Sequence, residues 1–124
     1  MKLFAVALTL LTTSSAFAAD LRAKTLECSA VNASGYASLK LERENDVQIV
    51  INNLYTIQAT ITDIEKRVIT LHQATPSREY RIEFDEALKE GKQEAKGILY
   101  GRYAPNYPLV ATSYVSCKLD LVAK

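Results

Sequence analysis

The segment from Tyr100 to Pro108 (YGRYAPNYP) gathers the side chains best suited to recognition in this chain. Tyrosine and arginine present large amphipathic surfaces with little conformational freedom to lose, and both are enriched where proteins bind partners. Pro105 and Pro108 restrict the loop and lower the cost of ordering it. The pattern predicts a binding edge built from Tyr100, Arg102, Tyr103, Asn106 and Tyr107. The competing reading is that these tyrosines only cover one end of the fold.

Other residues that could do chemistry are poorly companioned. His72 is the single histidine, and neither a serine nor a cysteine nucleophile can be assigned to it by spacing. It reads as an ordinary strand histidine. Glu83 and Asp85 alternate on one strand face beside Arg81, with Lys89 further on. Paired carboxylates can hydrolyse glycosidic bonds, but this face is assigned to solvent, and the residues read as an ion ladder. Asp63 and Glu65 form a turn flanked by Lys66 and Arg67. One histidine and two cysteines that pair with each other cannot make a zinc site. No glycine-rich phosphate loop occurs. The chain is therefore expected to have no catalytic residue, metal or cofactor. Asn32-Ala33-Ser34 matches a glycosylation sequon.

These side chains must be carried by a small exported domain. Lys2, the apolar run Leu3 to Leu11 and Ala16-Phe17-Ala18 read as a secretory signal peptide, residues 1–18, cleaved after Ala18 or Ala19. A buried N-terminal helix is the alternative. The run is shorter than the roughly 20 apolar residues of a membrane span. No cysteine follows it directly and no second such run exists, so neither a lipid anchor nor a transmembrane segment is expected. Removing 18 residues from 124 leaves 106, a single domain, 19–124. Without Lys2, 14 lysines and arginines face 14 acidic residues. That balance lacks the basic excess of a nucleic-acid binder.

Two cysteines in an exported chain are expected to pair. Cys28 and Cys117 would then enclose nearly the whole domain.

Period-two alternation recurs from Leu26 onward. The inward sets are Leu26-Cys28-Ala30, Ala37-Leu39-Leu41, Val47-Ile49-Ile51, Tyr55-Ile57-Ala59-Ile61, Ile69-Leu71, Tyr80-Ile82-Phe84, Leu99-Tyr103 and Ala111-Ser113-Val115-Cys117-Leu119-Leu121. Ser34-Gly35, Asn52-Asn53 and Ala74 to Ser77 are turn signals. Residues 85–97 are rich in helix formers but interrupted by Gly91. They predict a long hairpin turning near Glu90-Gly91, with a short helical turn as the alternative. Gly97 and Gly101 suggest a bend or close packing.

The sum is an all-β, antiparallel eight-stranded meander, closed or nearly closed into a barrel, with a two-sheet β-sandwich as the alternative. Both cysteines fall on the inward faces of the end strands, where a bridge would clasp the closing seam. Medium and large inward residues predict a filled interior.

This plan resembles that of the bacterial periplasmic lysozyme inhibitors: a small exported barrel with one cysteine in its first strand and one in its last. Their Ser-Gly-x-x-Tyr motif is not matched, since Ser34-Gly35-Tyr36 has a different spacing and lies early in the chain. No functional residue is carried over. The leading expectation is a non-enzymatic exported binding module with another exported protein as partner. An inhibitor of a secreted hydrolase and a small-ligand carrier are the alternatives.

Overall fold

The computed structural model describes residues 20–31, 37–51, 55–103 and 106–124. The signal-peptide reading, the Asn32 sequon and the turns at Ser34-Gly35 and Asn52-Asn53 lie outside them. Eight strands follow in order: β1 (Leu21–Ala30), β2 (Ala37–Arg43), β3 (Asp46–Ile51), β4 (Tyr55–Ile64), β5 (Val68–Gln73), β6 (Arg78–Phe84), β7 (Gly91–Arg102) and β8 (Val110–Ala123). Each pairs antiparallel with its neighbours in sequence, and β8 pairs with β1 to close the barrel. The sandwich alternative is thereby excluded.

The alternation that predicts the strands also fills the core. Leu39, Ile49, Ile69, Leu71, Ile82, Leu99 and Leu121 are buried, while Lys40, Thr60, His72, Glu94 and Lys118 are exposed. At these positions along the wall, apolar side chains point in and polar or charged ones point out. This is the reverse of a barrel whose outer wall faces lipid.

Cys28 and Cys117 are direct register partners across the β1–β8 seam, joined by a disulfide with their Cα atoms 4.0 Å apart. Nine registered pairs run along this seam. By contrast, among the described residues β1 meets β2 through two, Glu27 with Lys40 and Cys28 with Leu39. The first strand therefore hangs on the last more than on the second.

The segment expected as a long hairpin is built differently. The β6–β7 ladder ends where Phe84 pairs with Gly97. Residues 91–96 extend β7 beyond it and pair only with β8. Residues 85–90 form neither helix nor strand. They fold across the end of the barrel, and Leu88, which follows Tyr80, Ile82 and Phe84 at even spacing, is fully buried there as a plug. The backbone is tied down: Leu88 N–H donates to Lys66 C=O at 2.7 Å and Asp85 N–H to Lys96 C=O at 3.0 Å. The Gln93 amide acts as a surrogate backbone group, donating to Ala87 C=O at 2.9 Å and accepting from Lys89 N–H at 3.2 Å. Gly91 starts β7 with φ at +102°, a conformation costly for any residue with a Cβ.

Gly97 is a point of close approach, as its place in the strand suggests. A Cβ there would lie 2.6 Å from the Glu83 carbonyl oxygen. Ala111, expected inward, is exposed. A register shift between Leu99 and Tyr100 leaves Thr112 unpaired and reverses the parity of β8 before Ser113.

Candidate functional site

With one end closed by Leu88, the opposite end of the barrel collects the beginnings of β4, β6 and β8 and the ends of β3, β5 and β7. An open cleft of about 350 Å³ lies there, lined by Ile51, Arg78, Tyr80, Tyr103, Tyr107 and Val110, with Arg102 at its side. Tyr80 forms the floor. Its ring would be 3.4 Å from a Cβ at Gly101, so the glycine gives the ring its place, and its hydroxyl donates to Gln73 Oε1 at 3.0 Å. Tyr103 and Tyr107 form the wall, edge to face with centroids 6.3 Å apart. Both are more than half exposed, at 58% and 55%.

Two arginines border this cleft in different electrostatic states. Arg102 is neutralised. Its Nη2 and Nε donate to Glu79 Oε1 at 2.9 and 3.2 Å, and Arg81 Nη2 donates to the other carboxylate oxygen at 3.3 Å. Partial burial pushes the Glu79 carboxyl upward, but the hydrogen bonds and charge of Arg102, then of Arg81, hold it below the usual carboxylate range. Arg78 is not neutralised. Its guanidinium carbon sits 4.2 Å from the centre of the Tyr103 ring, a cation–π contact. No carboxylate lies within 4.0 Å of it, and all fourteen acidic residues of the chain are among the described residues. Its Nε–H is buried without a partner.

The Glu79 clasp gives a pH-dependent prediction. A carboxyl whose folded pKa is lowered stabilises the fold above its unfolded pKa of about 4.3, and the stabilisation fades as pH falls through the folded value. Glu79→Gln is therefore expected to cost about 1 kcal/mol at neutral pH, a value set by solvent screening of a partly exposed pair, and close to nothing at pH 2. Urea unfolding of both proteins across this range checks it. A gap of constant size would rule the clasp out.

The sequence-predicted edge is divided by the barrel wall. Arg102, Tyr103 and Tyr107 meet at the mouth. Asn106 is exposed and lines no cleft there. Tyr100 lies on the outer wall, in a separate groove of about 650 Å³ shared with Val31, Ile98 and Tyr114 and edged by Glu83 and Lys96. Arg78, Tyr80 and Tyr114 were not among the predicted residues. Arg78 had a legible signal, since it precedes Tyr80, Ile82 and Phe84 at even spacing and so takes the inward parity at the rim.

The remaining candidates lie elsewhere. His72 Nε2 is 3.3 Å from Ser77 Oγ, a contact that spacing did not reveal. Both groups are exposed, and Glu79, the register partner of His72, has its carboxylate committed to Arg102 and Arg81. Arg81 also reaches Glu83 at 3.9 Å, which forms part of the expected ion ladder, while Asp85 stands exposed beyond it. Asp63, near the end of β4, and Glu65, just beyond it, are both exposed, and a hydrogen bond with Asp63, followed by its charge, raises the Glu65 carboxyl. No protein-family model matches this chain, and no curated protein or solved structure matches it either.

Proposed function

We propose that this protein is an exported, non-enzymatic binding module whose recognition edge is the open mouth of the barrel. The observation that carries this reading is Arg78, held over Tyr103 without a counter-charge beside a cleft walled by Tyr107 and Arg102. Rigid aromatic and guanidinium groups on a barrel rim supply contact area at low entropic cost. The other end is occupied by Leu88, and the space at the mouth faces outward above Tyr80, which favours recognition at an edge over carriage inside the lumen. The signal-peptide pattern and the disulfide both suit an oxidising compartment outside the cytoplasm.

Capture of exported proteins on the immobilised wild type and on a Tyr103→Ala/Tyr107→Ala double variant tests this. The expected result is at least a tenfold loss of the captured partner in the double variant, with retention by Tyr114→Ala, which alters only the outer groove. Equal capture by wild type and double variant, or no capture above that of an unrelated barrel, would remove the mouth as the recognition edge.

A further inference from the structure

We infer that the mouth cleft takes an organic carboxylate on a small apolar or aromatic body, its carboxylate on Arg78 and its body against Tyr103, Tyr107 and Val110. This rests on the reading of the mouth as the recognition edge and names the chemistry it recognises.

Three observations converge on that ligand. The first is charge. Arg102 already has Glu79, so the cleft offers one unbalanced cation, matched by one negative charge. A phosphate dianion would call for more cations, and among the described residues the lining adds only Arg102, which Glu79 already balances. The second is geometry. A guanidinium is a planar fork that pairs with a carboxylate through two parallel hydrogen bonds. Contact with the face of Tyr103 holds that fork beside the cleft, and its Nε–H is buried without a partner. The third is the surround. Ile51, Val110, Pro108 and the tyrosine faces are apolar or aromatic, and about 350 Å³ is room for a small body rather than a large one. Such a group could arrive as a free acid or as the carboxyl terminus of a peptide ending in an aromatic residue.

Heteronuclear NMR titration of the labelled protein separates these cases. The probes are phenylpropionate, its neutral amide, and a pentapeptide ending in phenylalanine with a free or amidated carboxyl terminus. The acid is expected to saturate shifts at Arg78 Nε–H and the Gly101 and Val110 amides, and to bind at least tenfold more tightly than the amide. Arg78→Gln should reduce the acid to the level of the amide and leave the amide unchanged. Tyr103→Ala should weaken both. Arg78→Lys, which keeps the charge but not the fork, should fall between wild type and glutamine, and its spectrum shows whether the barrel is intact. The free peptide binding as tightly as the acid, or more tightly, would identify a chain terminus as the source; binding of the acid alone would identify a small molecule. Equal binding of acid and amide, acid binding unchanged in Arg78→Gln, or no saturation by any probe would overturn the inference. Partner capture that needs Tyr103 and Tyr107 but not Arg78 would discard the carboxylate and keep the edge. Acid binding at Arg78 with capture indifferent to the tyrosines would discard the edge.

Discussion

Replacing Cys28 and Cys117 with alanine is expected to lower the unfolding free energy by about 4–5 kcal/mol. The bridge joins residues 89 apart in sequence. In the chain-entropy model, a closure of that length restricts the unfolded ensemble by about this amount. The fold adds a second reason for a large effect. Among the described residues, β1 pairs with β2 at two positions and with β8 at nine, so it depends on β8 for its place. Without the bridge, the first strand is held along that seam only by its ladder and by the burial of Ala23 and Leu26. A domain of this size has roughly 5–15 kcal/mol in all, so the loss takes roughly a third or more of the total and the variant's denaturation midpoint should be sharply lowered. Urea unfolding of wild type, variant and reduced wild type measures this. A loss below about 1 kcal/mol would show that the seam holds without its covalent clasp.

The second large effect concerns the plug. Leu88→Ala is expected to cost about 3 kcal/mol, within the usual range for truncating a buried leucine. Leu88 is fully buried, although it lies in a connection with no regular structure. Its backbone is pinned at Lys66 and its neighbours are tied through Gln93, so the loop has little freedom to collapse into the space left by the side chain. Cavities that cannot relax are the expensive ones. The mouth is remote from this end, so ligand titrations at Arg78 should be unaffected in the folded variant. A cost under about 1 kcal/mol would mean that the loop opens readily and that the core ends at Phe84.

Much of the barrel was legible because its core obeys a single rule. Inward residues at every second position mark seven of the strands almost throughout, and the two cysteines fall on that same face. The first half of β7 breaks the rule. Its inward positions are Gly91, Gln93 and Ala95, and its outward ones are charged, so residues 91–96 carry no apolar alternation and their composition favours helix. Pairing with β8 overrides that preference. Leu88 shares the even spacing of the β6 core residues yet is buried from a connection, since that spacing fits a strand and a capping loop alike. Ala111 was misplaced because a one-residue bulge reverses parity without leaving a mark in composition.

The site was half legible for a related reason. Tyr100 and Tyr103 are close in sequence, and the period of two places the first outside the wall and the second on the rim. Composition identified the segment but could not divide it. Arg78 lies outside that segment, and a charge at an inward position is at odds with a core, but the first residue of a strand lies at the rim, where a guanidinium can stay near water.

The clasped seam also decides how the molecule carries mechanical load. The two ends of the barrel chain lie side by side, with Lys124 N–H donating to Asp20 C=O at 3.3 Å. Tension applied to those ends peels β1 from β8 one pair at a time, starting at Leu21 and Ala123. The peeling stops at Cys28 and Cys117, where a covalent bond takes the force. The 89-residue span behind it, roughly 300 Å of extended chain, feels none of the pull. While the bridge is intact, a tether at either terminus can strain the seam but cannot unravel the mouth.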